Sequence, residues 1–464
     1  MIYLKEKSRI DMYMHSIQRL RALHLGLGNY VEAAAVLLLA IDDSSPSSSS
    51  NSAASSKSDK PLRGPLSRLV SSRSLLGLEQ AWSAVSKNPT LGADEVVLTR
   101  AAVGLYKQGS DWQSALRLLQ RLRVHYEQGT YEFDQLAGVL EEQAALYRKW
   151  KSAETYHCSH FRVAFRGLKW DRENANKVFI YRGGPLESIM EFIARIKRKM
   201  PGCVMVPPNK ETPEMDMDEE KCHLQVSSVQ PAYKEAWDDV HSAPNFPDSA
   251  PKNVLSYRLH YNVNTFTLQM PFRVKMFHGK PKAKSKNEFM DLWSRTLLMR
   301  TAQSLPTTIR RSEIATVKEV LFNPLEVAVR TVGDKNNDLK ERIAQASMLT
   351  TRSAPQSFTM AINGTVDAAV NGGLANYAPF LTGSYQQENP EIVEDMDEHP
   401  EKHALIGKLR DLMEAHLVIL KQGVEVHARV CDSHMLPLHE IIIKKFPVLL
   451  ESCQELGVTV PQWG

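Results

Sequence analysis

Apolar residues recur every three to four positions in the first part of the chain, which predicts helices. Two helices are predicted within 1–41, separated by a turn at Gly28 and Asn29. The same pattern resumes near residue 75 and continues over 75–151. Paired helices with small residues on the packing face are the unit of α-solenoids, so an α-solenoid-like helical lobe is expected over 1–152.

Three local features refine this first lobe, called lobe A. The serine-rich stretch 43–60 cannot bury enough apolar surface to offset its ordering entropy, so it is predicted to be a disordered insert. Asp111 precedes a helical pattern and is predicted to cap that helix. The helix predicted from Phe133 to Lys149 is expected to present one apolar face, formed by Leu136, Leu140, Ala144 and Tyr147.

After residue 153 the pattern changes to short apolar runs bounded by turn residues, which predicts a β-rich middle lobe over 153–321, lobe B. The sheet is expected to be antiparallel because several connections carry no helix. Strands are predicted over 161–165, 177–181, 224–229, 254–259, 265–270 and 314–321. Helices are predicted over 186–199 and 287–304.

The last lobe, 322–464, is predicted to be a helical bundle and is called lobe C. Asn323 and Pro324 predict a helix start, since proline is favoured at the first helical position. The acidic stretch 388–401 is interpreted as a solvated connection before two long helices. His416 lies on the apolar face of the first of these helices and is predicted to be a buried, hydrogen-bonded histidine. The fold class is therefore α+β and multidomain.

Composition narrows the kind of protein without identifying it. The chain has 464 residues, of which 43% are hydrophobic and 24% charged, as in soluble globular proteins. Its net charge of +4 is too small to argue for nucleic-acid binding. Five cysteines without a C-x-x-C pair argue against a disulfide framework or a zinc site. The longest apolar run, 33–41, is about half of the ~20 residues that a membrane span needs. A cytoplasmic location is expected.

One basic run leaves two interpretations open. Residues 273–286 hold six lysines or arginines and no acidic residue. They could contact phosphate or anionic lipid, or they could form a solvated loop. The second interpretation is the simpler one, and membrane contact is not expected.

Motifs for covalent or cofactor chemistry are absent from the sequence. There is no phosphate-binding loop, dinucleotide-binding fingerprint, H-E-x-x-H or G-x-S-x-G motif. His157, Cys158 and His160 lack a fourth metal-ligating residue nearby. No metal and no cofactor are therefore expected, and the remaining route to function is binding another protein.

The stretch from Met360 to Tyr377 combines a helical apolar pattern with glycines that interrupt it. Each interior glycine costs a helix about 1 kcal/mol relative to alanine. One interpretation is a helix that ends at Gly372 in a left-handed cap and then restarts. The other is a segment that bends and comes close to another surface. Its apolar positions are Met360, Ile362, Val366, Val370 and Leu374, and its glycines are Gly364, Gly372 and Gly373.

Residues 366–373, followed by Asn376 and Tyr377, resemble the signature in the C-terminal lobe of the DOCK-family exchange domain, DOCK homology region two. The resemblance extends to most of the chain and is similar in pattern to the Rac-directed, ELMO-linked branch. Further matching segments are 29–34, 161–167, 178–183, 287–293 and 301–306. At the start of lobe C the sequence departs from the family, because Phe322 and Asn323 replace an Ile-Ser pair.

The resemblance implies a guanine-nucleotide exchange factor for a Rho-family GTPase, with Rac as first choice and Cdc42 as the other candidate. In the family a valine on a bulge, the nucleotide sensor, expels the magnesium ion that holds GDP. Val370 is the closest match, and Val366 is the second choice. The other residues that the resemblance places at the GTPase are Asn323, Pro324, Leu325, Asp367, Asn371, Gly372 and Gly373.

The resemblance also implies partners. A homodimer through lobe A is expected. An ELMO-type partner would bind through regions outside this sequence, and recruitment to the plasma membrane is expected in the full-length context. The alternative is a catalytically inactive helical scaffold or adaptor that binds partners without releasing nucleotide.

Overall fold

The structure is a computed structural model that describes the chain with gaps. The described ranges are 10–44, 90–152, 157–167, 169–207, 221–238, 244–247, 250–349, 355–366 and 374–460. Of the predicted serine-rich insert 43–60, residues 43 and 44 are the end of a helix, Tyr30–Ser44, and the rest lies outside the described residues. Two compact units are present: Met1–Leu268 with Leu297–Lys318, and Gln269–Thr296 with Glu319–Gly464. The boundaries predicted for lobes A, B and C stay predictions.

The first unit begins with helices, as the apolar spacing predicts. They are α1 (Ile10–Gly26), α2 (Tyr30–Ser44), α3 (Ala93–Gln108), α4 (Trp112–Val124) and α5 (Phe133–Ser152), with a π-helical turn at His125–Gly129. The predicted cap of α4 is confirmed, because the Asp111 carboxylate accepts a hydrogen bond of 3.1 Å from the Ser114 amide. Buried alanine and leucine side chains of α4 form the centre of this helical core.

The face predicted for α5 is wrong in part, because Leu136 packs against the helical core whereas Leu140 and Tyr147 do not. Val139 and Leu146 are the buried residues of this helix, while Leu140 and Tyr147 are 43% and 59% exposed. Helix α5 carries apolar residues on two faces, and only the face with Val139 packs on the helical core. Periodicity alone could not tell which of the two faces would be covered.

The middle of the chain forms a sheet and its connections. Its elements are β1 (Cys158–Arg166), β2 (Val178–Pro185), α6 (Ile189–Lys199), β3 (Val204–Val206), β4 (His223–Ala232), α7 (Lys252–His260), β5 (Val263–Phe272), β6 (Met276–Phe277), β7 (Lys280–Pro281), β8 (Trp293–Leu305) and β9 (Arg311–Phe322). The strand order is β1–β2–β9–β8–β5–β4–β3. Because β1 also pairs with β4, six strands close into a barrel-like ring. The α+β class is thereby confirmed.

Side chains of β1 alternate between the two faces of the sheet, and each face is covered by different residues. Phe161, Val163 and Phe165 point to one face, where they pack with Phe192 of α6. His160 points to the other face and contacts Phe266, with ring centroids 5.1 Å apart. Successive side chains of a strand point to opposite faces, so β1 contributes to the apolar cluster with α6 on one face and borders the cluster that contains Phe266 on the other.

Two predictions in this region are wrong. Residues 254–259 belong to helix α7, in which Tyr257 is buried against the helical core. The sequence predicts a helix over 287–304, but the chain forms a short 3₁₀ turn at Glu288–Asp291 and then strand β8, Trp293–Leu305. A strand buried on both faces shows no clean alternation, and periodicity cannot separate it from a buried helix.

The second unit is built mainly from helices around one core. They are α8 (Pro324–Ser347), α9 (Gln356–Val366), α10 (Ala378–Thr382), α11 (Tyr385–Glu388), α12 (Pro390–Glu398), α13 (Ala404–Val430) and α14 (Leu436–Glu455), with 3₁₀ turns at Leu374–Tyr377 and Pro400–His403. The two long predicted helices are confirmed as α13 and α14. Across the described residues, every helix is too short or too polar to cross a membrane.

The acidic stretch 388–401 is not the solvated connection that its charge predicts. It contains helix α12, whose Ile392 and Met396 are fully buried. Glu391 is also buried and forms an ion pair with Lys282 from the basic run. Lys282 lies 3.0 Å from Asp291 as well, so this part of the basic run is neutralised within its own unit.

Asp291 makes the stability of this unit depend on pH. Burial alone would raise the pKa of its carboxyl group. Hydrogen bonds from the Ser285 hydroxyl and amide and from Lys282 outweigh burial and lower the pKa from 3.8 to about 2. A carboxylate with a lowered pKa stabilises the fold above its unfolded-state pKa, and this stabilisation is lost as the pH falls towards the folded-state pKa.

We predict that Asp291→Asn lowers stability at neutral pH and flattens its decline between pH 3.8 and about 2, the range set by the pKa shift. The measurement is the urea midpoint as a function of pH. Asp338→Asn is the control, since Asp338 forms an exposed pair with Arg342. Parallel curves for wild type and Asp291→Asn would contradict the prediction.

Candidate functional site

Helix α9 carries the start of the 360–377 segment and buries one face in the core of the second unit. Phe358, Ile362 and Val366 are spaced four residues apart, which places them on the same side of the helix. All three belong to the core cluster, together with residues of α13 and α14. The helix therefore has a fixed orientation on the bundle.

The structure describes some of the predicted sensor residues and not others. Val366, the second-choice sensor, is 4% exposed and lies in the core. Leu374 and Tyr377, which follow the glycines, are buried in the same core. The remaining predicted residues of the segment, Asp367, Val370, Asn371, Gly372 and Gly373, lie outside the described residues. Their roles stay predictions.

The start of α8 confirms the predicted helix start. The Asn323 side chain accepts a hydrogen bond of 2.9 Å from the Glu326 amide. The Glu326 carboxylate accepts one of 2.8 Å from the Asn323 amide, which completes a capping box. Asn323, Pro324 and Leu325 are all buried, so their side chains do not form an open contact surface in this conformation.

A polar network that the sequence pattern does not predict fixes this helix start. Asn323 Nδ2 donates a hydrogen bond of 2.6 Å to Asp395 of α12. Lys402 lies 2.9 Å from Asp395 and 3.3 Å from Glu326, so it bridges both carboxylates. The available signal was Asn389-Pro390, which resembles the Asn323-Pro324 helix start. Recognising it would have identified α12 as a helix able to hold α8.

Buried histidines connect α9 to the two long helices. His427 Nε2 lies 3.0 Å from the Thr359 hydroxyl, and His427 Nδ1 lies 3.0 Å from His439 Nδ1. Burial, with a smaller effect of His439, lowers the pKa of His427 to about 4, and burial lowers that of His439. Both rings are therefore neutral at neutral pH, and one donates its Nδ1 hydrogen to the other.

His416 has the role that the sequence predicts. It is 1% exposed, and its Nδ1 lies within hydrogen-bond distance of Asn336 Oδ1. Burial lowers the pKa of His416 to about 4, with a smaller contribution from Lys335. It is a buried histidine with a hydrogen-bond partner, and it strengthens the contact between α8 and α13.

The chain is similar to proteins of one family. Residues 344–456 match the family model "DHR-2, Lobe C". Dedicator of cytokinesis protein 4 of Homo sapiens is 28% identical over 450 residues, which cover 97% of this chain and 20% of that protein. Dedicator of cytokinesis protein 3 of Homo sapiens is 27% identical over 451 residues, with the same coverage of 97% and 20%. DOCK-like protein 1 of Saccharomyces cerevisiae is 24% identical over 348 residues, or 74% of this chain and 17% of that protein.

The matched region contains α9 and the whole 360–377 segment. The chain spans about a fifth of the length of the curated dedicator of cytokinesis relatives named above. The similarity therefore concerns one part of those proteins, and this part includes the candidate site.

Helix α9 packs closely against Gly423 of α13, and a substitution there tests how the core supports the 360–377 segment. A Cβ atom on Gly423 of α13 would lie 3.2 Å from Ile343 Cδ1 and 3.5 Å from Ile362 Cδ1. We predict that Gly423→Val lowers the free energy of unfolding by about 1–3 kcal/mol, the usual effect of overpacking. Gly407→Val on the same helix is the control, because a Cβ there would have no atom within 4 Å. Equal urea midpoints for the two variants would refute the prediction.

Proposed function

Since the chain belongs to the DOCK family and contains a DHR-2 domain, we propose that it is a guanine-nucleotide exchange factor for a Rho-family GTPase. The observation that carries this proposal is the family match over 344–456, which includes the 360–377 segment. The anchoring of that segment supports the proposal, because buried residues hold it on both sides.

The exchange mechanism that we propose rests on the chemistry of magnesium. A GTPase holds its nucleotide through phosphate contacts and a magnesium ion that offsets the phosphate charge. Magnesium demands a nearly ideal octahedral shell of oxygen ligands. An aliphatic side chain placed in that shell supplies no oxygen, so the ion leaves and the phosphates lose their counter-charge.

Val370 is the side chain that we propose for this step. Val366 is buried in the core next to Ile362 and Phe358. Its burial contributes to the support of α9, so reaching a partner would require α9 to detach. Val370 lies four residues farther along the chain, between the two buried anchors Val366 and Leu374. Gly372 and Gly373 are proposed to give the backbone its bend, and Asp367 and Asn371 to contact the GTPase.

We propose an indirect role for the start of α8. Asn323, Pro324 and Leu325 are buried, and Asp395 and Lys402 hold this helix start in place. We propose, from the resemblance, that these three residues hold the displaced switch region of the GTPase. In the conformation described here they would act by positioning the exposed surface around them.

Binding and nucleotide release are linked quantities. The domain weakens nucleotide binding by the same factor by which nucleotide weakens binding of the domain. Each tenfold change corresponds to about 1.4 kcal/mol of binding free energy. To weaken nucleotide binding by several powers of ten, a broad interface with the GTPase must therefore supply several times this binding free energy. We propose Rac as the preferred partner and Cdc42 as the second candidate.

A homodimer through lobe A is also proposed. Helix α5 exposes Phe133, Leu140 and Tyr147, which are spaced seven residues apart and lie on one side of the helix. Tyr131, just before the helix, is exposed next to Phe133, with ring centroids 6.5 Å apart. A row of large apolar side chains of this kind is suited to packing against the same row of a second copy.

The first test is an exchange assay. We expect the chain to accelerate release of fluorescent GDP from Rac and, more weakly, from Cdc42. Val370→Ala should still bind the GTPase but lose most of the acceleration, because alanine is too small to reach the magnesium site. A loss of at least about tenfold, equivalent to 1.4 kcal/mol in the activation barrier, is expected.

Val418→Ala is the matched control, since Val418 is an exposed valine on α13. It should keep the wild-type rate. Unchanged activity of Val370→Ala would refute the sensor assignment while leaving the exchange function intact. No acceleration of either GTPase by the wild-type chain would favour the inactive scaffold instead.

The second test concerns the dimer. Light scattering should give the mass of two chains for the wild type and of one chain for the double variant Phe133→Asp, Tyr147→Asp. Both positions are exposed in the single chain, so the variant should keep its helical circular dichroism. Glu141→Ala, an exposed position on the same helix, is the control. A monomeric wild type would remove the dimer proposal.

A further inference from the structure

The first unit contains a cavity with charged side chains in its walls that the exchange mechanism does not use. Its volume is about 450 Å³. The turn between α1 and α2, the turn between α3 and α4, strands β1 and β2, and helix α7 all contribute to its walls. Glu32, Cys158, His160, Arg182 and Arg310 are among the residues that line it.

Two arginines of this cavity, Arg182 and Arg310, lie beside the same acidic residue, Glu32. Glu32 is 1% exposed, forms an ion pair with Arg182 and lies 3.6 Å from Arg310. Burial would raise the pKa of Glu32, but the two arginines outweigh it and lower the pKa, so Glu32 is ionised. Two guanidinium groups therefore share one carboxylate.

Arg310 is the cation that lacks its own counter-charge. Its guanidinium donates to the Asn29 side chain and to the backbone oxygens of Gly183 and Arg182, which are neutral acceptors. Burial, reinforced by repulsion from Arg182, outweighs the attraction of Glu32 and lowers the pKa of Arg310. A buried cation with neutral partners favours a nearby anion.

The other acid of the cavity is already engaged. Asp111 accepts hydrogen bonds from the Tyr257 hydroxyl and the Ser114 amide. Burial raises its pKa. Asp111 therefore belongs to the support of α4, and it does not pair directly with Arg310 in the described part of the chain.

His160 supplies a second and independent observation. It is 3% exposed and lines the cavity, yet neither ring nitrogen has a hydrogen-bond partner among the described residues. Burial, reinforced by Arg182, lowers the pKa of His160 to about 3, so the ring is neutral. It can offer one donor and one acceptor to a bound molecule.

A metal does not explain the site. His157, Cys158 and His160 are close in sequence, and His157 stacks on His260 with ring centroids 4.1 Å apart. Within the described ranges, however, no three histidine, cysteine, aspartate or glutamate side chains converge as metal ligands. The unpartnered ring of His160 is neutral, and the hydrogen bonds of Arg310 go to neutral acceptors, which suits an anion.

We propose that this cavity binds a small ligand carrying one oxyanion group, a carboxylate or a phosphate. Arg310, with Arg182 beside it, pairs with the oxyanion, and the His160 ring hydrogen-bonds to the ligand. Arg310 donates only to neutral acceptors and shares Glu32 with Arg182, which leaves it able to pair with a single oxyanion. The site is separate from the 360–377 segment, so it is tested without measuring nucleotide exchange.

Cys158 provides a site-specific readout because its thiol lines the same cavity. Iodoacetamide is neutral and does not compete electrostatically with an anion. Sodium acetate and sodium phosphate are titrated in separate arms against sodium chloride at equal ionic strength. Alkylation of each cysteine is followed by mass spectrometry, with the partly exposed Cys203 and Cys222 as internal controls.

When the anion is present at about ten times its dissociation constant, alkylation of Cys158 should slow about tenfold. Cys203 and Cys222 should not change. A response to acetate alone assigns a carboxylate ligand, and a response to phosphate alone assigns a phosphate ligand. The thermal unfolding midpoint should rise over the same concentration range.

Three variants separate binding from a structural role. Arg310→Gln leaves Arg182 paired with Glu32 and should abolish both the protection and the midpoint rise. His160→Phe should raise the midpoint without anion, because it removes two unpartnered nitrogens, and should lose most of the anion effect. Glu32→Gln should strengthen protection, because it leaves two cations without a carboxylate. Arg123→Gln, in a surface pair with Glu127, is the charge control.

The proposal is overturned if neither anion protects Cys158 or raises the midpoint in the wild type. It is equally overturned if Arg310→Gln and His160→Phe fold and respond like the wild type. Slower alkylation of all three cysteines would also overturn it, since this would be a general salt effect. None of these outcomes bears on the exchange activity.

Discussion

Both sides of the 360–377 segment are held by burial in one apolar core, and the functional proposals for the second unit depend on this anchoring. Phe358, Ile362 and Val366 bury one face of α9, and Leu374 and Tyr377 return to the same cluster. Each large side chain contributes roughly 1.5–3 kcal/mol by burial. Releasing either anchor would thus cost several kcal/mol. Because the anchors are already ordered, a partner does not need to spend binding free energy on ordering them.

Features encoded by a few neighbouring residues could be predicted from the sequence. Asp111 caps α4, and Asn323 with Pro324 begins α8, because capping depends on contacts within one helical turn. The predictions that were wrong concern segments whose surroundings decide their structure. Strand β8 is buried on both sides, and α12 buries Ile392 and Met396 in the apolar core and pairs through Glu391 with Lys282. No local pattern encodes a contact between residues more than a hundred positions apart.

The candidate site could be predicted only in part for the same reason. The position of the segment followed from its glycines and from the resemblance to a known family. The burial of Asn323 and its hydrogen bond to Asp395 were not predictable, because the acidic stretch was interpreted as solvated. The cavity around Arg310 was also missed, since its walls come from helices and strands far apart in sequence. A sequence pattern predicts helices, strands and short motifs. It does not predict which charged residues from distant parts of the chain meet around a cavity.

Closure of the strand ring has a consequence for synthesis of the chain. Strand β2 pairs with β9 at Phe179 and Glu313, so the ring cannot close until the ribosome has passed residue 313. By then all of Gln269–Thr296, which belongs to the second unit, has already been made. Until β9 arrives, one edge of β2 has unpaired backbone groups and can pair with strands of other chains. A nascent chain that has not reached β9 would therefore depend on chaperones or on rapid elongation to avoid aggregating, and a chain truncated before β9 would depend on chaperones.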